Sequence, residues 1–447
     1  MLVRKIENKI KEWMENDNKA LLIDGARQVG KTYIIRKCLK ELQKHYIEFN
    51  LIEQPEIVTL LNHVTTVAEL VSSLSLFTNK RFIKGETILF FDEIQEYKEI
   101  VTKIKFWVDE GSFRYIFSGS LLGVELRNIK SAPVGYLKTY TMYPLDFEEF
   151  LQLYNFTEEL KISLKEAFLN KIPVEEAVHK KLIQIFNTYL IVGGMPAAVN
   201  KFKETNNLEE VSAEHIDIIK QYKRDFTKYE KDEKILYLTK IYDLIPSAVN
   251  EKNKRFNYAD LKKGLRFERS EENFLWLTNA GVALPVYNTT EPKIPLKINE
   301  KSNLFKLFLA DVGMLTTMYG KATKLKILND DKFINYGAVY ENAVAQELKA
   351  QGYNLYYYSS KKFGELDFVI ERSDKVLPIE VKSGKDYTTH SALNNVMKIA
   401  DYDIAEAIVL SDYNVKTKGN ITYYPIYMTM FLGEENIRLP KVAIEGF

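Results

Sequence analysis

Short apolar runs that end in polar residues alternate with amphipathic stretches over the first third of the chain. The apolar run at 20–24 leads into a glycine-rich turn, and apolar residues then recur at helical spacing over 31–44. Further apolar runs at Ile88–Glu93 and Arg114–Ser120 also end in polar residues. This alternation predicts a parallel α/β sheet, and such sheets bind ligands at the carboxyl ends of their strands.

The pattern changes beyond residue 150. Over 151–230 apolar residues recur every three or four positions, which predicts a helical lid or connector. Residues 231–330 predict three helices followed by two β-rich segments, the order of a winged-helix domain. A helix and four apolar strands then predict a separate α/β domain over 331–447. We therefore expect an α/β protein in four parts, of which the first is 1–150.

Composition places the chain among ordinary globular proteins. Of 447 residues, 46% are hydrophobic and 28% are charged, and 62 Lys and Arg against 61 Asp and Glu leave a net charge of +1. The one cysteine, Cys38, cannot form an internal disulfide, and five histidines make a zinc centre of Cys and His a poor expectation. No apolar run approaches the roughly 18 residues that span a bilayer, so we expect a cytoplasmic protein with no membrane partner.

The turn after the first apolar run matches the phosphate-binding motif G-x-x-x-x-G-K-[ST]. Its eight residues are Gly25, Ala26, Arg27, Gln28, Val29, Gly30, Lys31 and Thr32. In a strand–loop–helix context the loop amides face a phosphate, the lysine reaches the β- and γ-phosphates, and the Thr hydroxyl binds Mg²⁺. The motif predicts a P-loop NTPase sheet that binds ATP with Mg²⁺.

The next two apolar strands end in candidate catalytic groups. Asp92 is expected to hold Mg²⁺ together with Thr32, and Glu93 to orient or deprotonate the attacking water. Ser118 is a candidate for positioning that water, although it and Ser120 are equally compatible with a turn. With Lys31, Glu93 and Ser118 as catalytic residues, the predicted activity is ATP hydrolysis.

These motifs resemble those of a prokaryotic group of AAA-type ATPases whose phosphate loop reads GARQVGKT. The likeness continues through FFDEIQ, SGS, the PVG…YPLDFEEFL stretch and YLIVGGMPAAV. Residues 225–385 resemble the poorly characterised second domain that such proteins usually carry, in YKRDFTKY, FKLFLADVGML, ELDFVI and IEVKSG. The resemblance implies an ATPase in which an oligomer is possible.

The resemblance leaves the arginine finger open. In many relatives an Arg follows the Gly that precedes YPLDFEEF, whereas here Tyr136 follows Gly135. Arg27, Arg114 and Arg127 are then candidate cationic contributors, and the sequence does not choose among them.

Three carboxylates and a lysine are predicted to lie close together in the last domain. Glu380 and Lys382 share one face of a strand, Asp367 lies on the neighbouring strand, and Glu341 lies on the preceding helix. Hard oxygen ligands of this kind suit Mg²⁺, and the order resembles the restriction-endonuclease-like PD-(D/E)xK core. A structural ion-pair network or a core that only binds nucleic acid remain alternatives.

One segment is basic although the whole chain is nearly neutral. Residues 220–270 hold 14 Lys or Arg against 8 Asp or Glu, a local charge of +6. On a winged helix, basic residues here would meet DNA phosphates; they are Lys252, Lys254, Arg255, Lys262, Lys263, Arg266 and Arg269. The leading hypothesis is an ATPase coupled to a DNA-binding, nuclease-like module. The alternative is a nucleotide-gated switch that binds a protein partner and has a non-catalytic C-terminal core.

Overall fold

The computed structural model describes residues 2–97, 99–120, 135–229, 232–251, 254–261, 270–330 and 337–433. Six of the basic residues considered above lie outside these ranges, namely Arg127, Lys252, Lys262, Lys263, Arg266 and Arg269. The chain divides into two compact units. Unit 1 comprises Met1–Leu145, Gly193–Tyr242 and Gly264–Ala283, and unit 2 comprises Asp146–Val192, Asp243–Lys263 and Leu284–Phe447.

The described strands of unit 1 form a parallel sheet. They are β1 (Ala20–Asp24), β2 (Tyr46–Asn50), β3 (Ile88–Asp92), β4 (Arg114–Ser118) and β5 (Leu137–Thr141). Their order is β2-β3-β4-β1-β5, and each neighbouring pair runs parallel. This confirms the predicted α/β class and the P-loop NTPase sheet, and it brings the ends of β1, β3 and β4 to one edge.

Both faces of this sheet are covered, which explains why its central strands β1, β3 and β4 are mostly apolar. Alternate residues point to opposite faces of a strand. Phe90 packs in a core that includes Trp13, while Phe91 packs on the other face at a ring-centroid distance of 6.0 Å from Trp107.

The helices of the described residues are spread over both units. In chain order they are α1 (Lys5–Asn16), α2 (Lys31–Glu41), α3 (Pro55–His63), α4 (Val67–Leu74), α5 (Ile100–Glu110), α6 (Phe147–Leu151), α7 (Glu158–Leu169), α8 (Glu176–Val192), α9 (Pro196–Thr205), α10 (Leu208–Tyr229), α11 (Asp232–Ala248), α12 (Glu271–Asn279), α13 (Val312–Tyr319), α14 (Lys321–Leu328), α15 (Gly337–Ala350) and α16 (Ser391–Val396). None of them, over the described residues, is long and apolar enough to cross a membrane.

Unit 2 is built on a mixed sheet. Its strands are β6 (Ala283–Thr289), β7 (Glu300–Leu309), β8 (Tyr356–Ser360), β9 (Gly364–Arg372), β10 (Lys375–Val381), β11 (Ala407–Ser411), β12 (Lys416–Lys418) and β13 (Ile421–Pro425). Their order is β12-β13-β11-β10-β9-β8-β6-β7. Strand β9 pairs antiparallel with β8 and β10, whereas β10 and β11 run parallel.

The two β-rich segments of the predicted winged helix belong to this larger sheet. Strand β6 pairs with β8, in parallel, through Tyr287 and Tyr356. A strand already paired on both sides does not project as a free wing, so β6 is part of the sheet of unit 2. The division at residues 231, 331 and 151 stays a prediction.

A close backbone approach fixes the chain after β5. The Leu145 amide donates a 2.7 Å hydrogen bond to the Gly194 carbonyl. A Cβ atom at Gly194 would lie 2.0 Å from the Leu145 carbonyl oxygen, far inside contact distance. Only glycine therefore permits these two segments of unit 1 to meet.

We predict that Gly194→Ala destabilises unit 1, because its methyl group displaces backbone and not a flexible side chain. The free energy of unfolding should fall by about 1–3 kcal/mol. All three tryptophans, Trp13, Trp107 and Trp276, are buried in unit 1, so urea unfolding followed by tryptophan fluorescence reports on this unit. Gly433→Ala is the control, because a Cβ there lies 3.8 Å from its nearest neighbour. Equal midpoints for the two variants would contradict the prediction.

Candidate functional site

The phosphate loop lies between β1 and α2 and has a backbone that bends sharply. Gly25, Gln28 and Gly30 all have positive φ, at 130°, 66° and 95°. A Cβ atom on Gly25 would lie 2.2 Å from the Met142 carbonyl oxygen. Helix α2 begins at Lys31, directly after the loop. The first amides of a helix have no intrahelical acceptor, so this end is suited to an anion.

Lys31 is buried against its own loop. Its Nζ donates to the carbonyl oxygens of Gly25, at 3.0 Å, and of Ala26, at 2.8 Å. Burial lowers the pKa of Lys31 to about 8, although the charges of Glu93 and Asp92 oppose the shift. An ammonium group held in a dry site interacts strongly with any anion that enters.

The ends of β3 and β4 meet at Asp92. Thr32 Oγ1 donates a 2.9 Å hydrogen bond to Asp92 Oδ2, and Ser118 Oγ donates to Asp92 Oδ1. Burial raises the pKa of Asp92, and Glu93 adds to the shift, while the two hydroxyl donors oppose it. The structure thus brings together Thr32, Asp92 and Ser118, three of the four residues predicted for metal binding and water positioning, and the Ser118 hydroxyl contacts the carboxylate.

Glu93 follows Asp92 in a constrained conformation. Its backbone lies in the left-handed region, at φ 59° and ψ 46°, which costs a non-glycine residue roughly 1–2 kcal/mol. Gln95 Nε2 donates to Glu93 Oε2, and Gln95 is itself buried. Strain of this kind is retained where surrounding contacts hold it. Gln95 is a site residue that the sequence reasoning missed, although it lies in the FFDEIQ stretch.

The three candidate arginines have different positions. Arg114 lies at the amino end of β4, where it donates to the carbonyls of Met14 and Asp17 and stacks over Trp13 at 4.2 Å. It is therefore remote from the phosphate-binding edge. Arg127 is outside the described residues. Arg27 lies in the loop itself, where its guanidinium pairs with Asp225, so the identity of an arginine finger stays a prediction.

Arg4, at the start of the chain, also supports the loop. Its guanidinium donates to the Val29 carbonyl at 3.2 Å and to the Tyr143 carbonyl at 2.7 Å, and it is buried. Nothing in the local sequence around Arg4 predicts this contact, because it joins positions 25 residues apart.

The donor set at the phosphate loop fits Mg²⁺. The Thr32 hydroxyl and the Asp92 carboxylate are adjacent hard oxygen ligands, and Mg²⁺ in nucleotide sites takes few protein ligands besides waters and phosphate oxygens. Over the described ranges, no group of three or more His, Cys, Asp or Glu side chains is placed to hold a metal ion. A metal here would depend on the nucleotide.

The four residues of the predicted nuclease-like site converge in unit 2. Glu341, Asp367, Glu380 and Lys382 line one pocket of about 440 Å³. Lys382 Nζ lies 2.7 Å from Glu380 Oε1. Asp367 Oδ2 accepts a 2.9 Å hydrogen bond from the Val381 amide, which ties β9 to the end of β10.

Two further lysines enter this cluster, and the sequence reasoning did not place them there. Lys254 Nζ contacts Glu341 Oε1. Lys306, on β7, is fully buried, with its Nζ 2.8 Å from Glu365 Oε1 and 4.0 Å from Asp367 Oδ1. Arg255, expected on a DNA-facing surface, instead donates to Ser359 Oγ at 2.7 Å. The sequence around Lys306 does not predict its place in the cluster, since it is a single charged residue among apolar ones.

Two carboxylate oxygens in the pocket, Glu341 Oε2 and Glu380 Oε2, are buried and accept no hydrogen bond from the described residues. Burial raises the pKa of Glu341 to about 7 and of Glu380 to about 8, and the charge of Asp367 adds to both shifts. An unsatisfied buried carboxylate is costly, so a proton or a cation at these two atoms would stabilise them. Among the described residues no group of three or more His, Cys, Asp or Glu side chains is placed to hold a metal ion, and a divalent ion here would have to displace the Lys254 ammonium group from Glu341.

We predict that Lys306→Met destabilises unit 2, because it leaves Glu365 and Asp367 beside an apolar side chain. Breaking a buried ion pair costs about 3–5 kcal/mol, and the lower end applies because Glu365 is 27% exposed. Urea unfolding followed by far-UV circular dichroism reports on both units, so a shift that tryptophan fluorescence does not follow belongs to unit 2. Lys301→Met, exposed on the same strand, should leave both curves unchanged. A stable Lys306→Met protein would refute the assignment.

Three family models match separate parts of the chain. A model of an AAA domain matches residues 17–151. Models of two domains of unknown function, DUF8612 and DUF4143, match residues 183–325 and 336–429. No curated protein sequence matches the chain.

Among solved structures the chain is similar to a Walker-type ATPase of Pyrococcus abyssi, with 16% identity, 71% of this chain and 96% of that chain covered, and a TM-score of 0.45. It is also similar to the Orc1 protein of Aeropyrum pernix in complex with DNA, at 13% identity, 74% and 94% coverage and a TM-score of 0.34. The AMPPCP-bound DnaA from Aquifex aeolicus has 12% identity, 62% and 95% coverage and a TM-score of 0.31. The family match and the geometry of the loop together make residues 17–151 an AAA domain with a P-loop.

Proposed function

We propose that unit 1 binds ATP with Mg²⁺ and hydrolyses it. The observation that carries this proposal is the contact of the Thr32 hydroxyl with the Asp92 carboxylate beside the phosphate loop. Nucleotide hydrolysis needs a phosphate cradle, a cation that neutralises charge and a group that orients water. Residues suited to each task lie at this one edge of the sheet.

Each side chain has a proposed role. Thr32 and Asp92 would hold magnesium, which supplies positive charge to the β- and γ-phosphates when bound. When nucleotide binds, Lys31 releases the loop carbonyls and donates its hydrogen bonds to phosphate oxygens instead. Glu93 accepts a proton from the attacking water, with Gln95 fixing the orientation of its carboxylate. Ser118 holds Asp92 in place.

We predict that Lys31→Ala lowers kcat for ATP by about 100-fold or more, because a buried charge at the transferring phosphate is lost. The measurement is phosphate release at saturating Mg-ATP. Lys40→Ala is the matched control, since Lys40 is exposed on the same helix and should leave turnover unchanged. Turnover that survives Lys31→Ala would exclude this site as the source of hydrolysis.

For unit 2 we propose divalent-cation-dependent phosphodiester cleavage, with DNA as the substrate class. The supporting observation is the pair of buried, unpartnered oxygens on Glu341 and Glu380 in a pocket shared with Asp367 and Lys382. Carboxylate oxygens beside a lysine suit a hard cation and the charge that develops on a phosphate. We further propose that ATP turnover regulates this module.

The net charge of +6 over 220–270 supports DNA as the partner. Within this segment Lys254 contacts Glu341 and Arg255 donates to Ser359, so these two side chains bind residues of unit 2. The competing proposal is a nucleotide-gated switch in which lysines merely neutralise the carboxylates and a protein partner binds instead. The salt dependence of DNA binding separates the two, because phosphate contacts weaken steeply as salt rises.

We predict that Asp367→Asn lowers Mn²⁺-dependent nicking of supercoiled plasmid by about 100-fold or more, because one cation ligand becomes neutral. Asp374→Asn is the control, since it makes the same chemical change at an exposed turn of the same hairpin, where Asn tolerates the left-handed backbone. Nicking that is equal in both variants would exclude the cluster as a nuclease site. If the parent protein neither nicks DNA nor binds it in a salt-dependent way, the protein-partner switch is favoured.

A further inference from the structure

Helix α10 contacts the phosphate loop through one face. Asp225 pairs with the guanidinium of Arg27, and Gln221 accepts from the Gln28 side-chain amide. Tyr222 donates a 3.1 Å hydrogen bond to the Arg27 carbonyl oxygen. Residues four apart lie one above the other on a helix, so positions 221 and 225 reach consecutive residues of the loop.

These contacts involve a part of the loop whose backbone has an uncommon conformation. Gln28 has a positive φ of 66°, and Tyr222 fixes the carbonyl just before it. The orientation of the loop amides depends on these torsions, because each peptide plane turns as a unit. A displacement of α10 would therefore turn the amides that face the phosphates.

Arg27 also contacts the end of β4, beside the proposed metal-binding residues. Its Nε donates to Ser120 Oγ at 3.3 Å, and Ser120 follows the strand whose Ser118 donates to Asp92. The Asp225 side chain is 9% exposed and that of Arg27 is 27% exposed. Because a nearly buried carboxylate requires a cation, Asp225 holds Arg27 firmly between α10 and the end of β4.

We propose that α10 is a positioning element of the nucleotide site, and that the Arg27–Asp225 ion pair transmits its position to the phosphate loop. The inference rests on the proposed binding of ATP at this loop. Linkage makes the effect reciprocal, so a helix that sets nucleotide affinity is in turn ordered by the nucleotide. Asp225 is accordingly a positioning residue that never touches the substrate.

The test compares Asp225→Asn with the parent protein. We expect KM for ATP, and Kd for a fluorescent ATP analogue, to rise about tenfold, the typical effect of losing one charged hydrogen bond. The kcat at saturating Mg-ATP should change less than twofold, because Lys31, Asp92 and Glu93 keep their places. Asp225→Glu should restore most of the affinity. Asp217→Asn, an exposed position of the same helix that pairs with Lys220, should leave KM unchanged.

A double-mutant cycle isolates the ion pair. If the pair acts as one unit, Arg27→Gln with Asp225→Asn should bind no more weakly than Arg27→Gln alone. Amide exchange over 208–229 should slow on addition of nucleotide in the parent protein and not in Asp225→Asn, a result that a merely structural contact would not produce. Unchanged KM in Asp225→Asn, or independent effects in the cycle, would overturn the inference. A parent protein that fails to bind or hydrolyse ATP would instead overturn the proposed function.

Discussion

The phosphate loop has to keep its amides pointed at one place, and a loop cannot do this with its own contacts. Fixing the backbone of a residue costs roughly 1–2 kcal/mol in conformational entropy, so an ordered loop needs stabilising contacts from residues outside the loop. Here Met142 packs against Gly25, Arg4 holds the Val29 carbonyl, and Tyr222 holds the Arg27 carbonyl. Residues from three other parts of unit 1 thus fix the backbone of the phosphate loop.

Burial shifts the pKa values of charged side chains at both candidate sites. In unit 1 desolvation lowers the pKa of Lys31 to about 8 and raises that of Asp92. In unit 2 it raises the pKa values of Glu341 and Glu380. A ligand of opposite charge would stabilise the ionised form of each of these side chains, a phosphate at Lys31 and a cation at Asp92, Glu341 and Glu380.

The glycine-rich loop and the strand ending in Asp92 and Glu93 were predictable from sequence because each is a short contiguous motif whose geometry is local. The alternation of strands and helices likewise predicted the parallel sheet. The β-rich segment at 283–289 was harder to place. Its apolar pattern predicted a strand, but no local signal distinguishes a wing from a strand of the larger sheet of unit 2, where β6 pairs with Tyr356 and its neighbours.

The sequence alone determined which residues form the phosphate loop and the strand ends beside it, since a motif specifies side chains and their order along the chain. It also placed Glu341, Asp367, Glu380 and Lys382 together, because strand pairing follows from the order of elements. Only the tertiary structure decided what surrounds them. Lys306 and Asp225 join their sites across 61 and 198 positions respectively, and contacts over such distances depend on how whole elements pack.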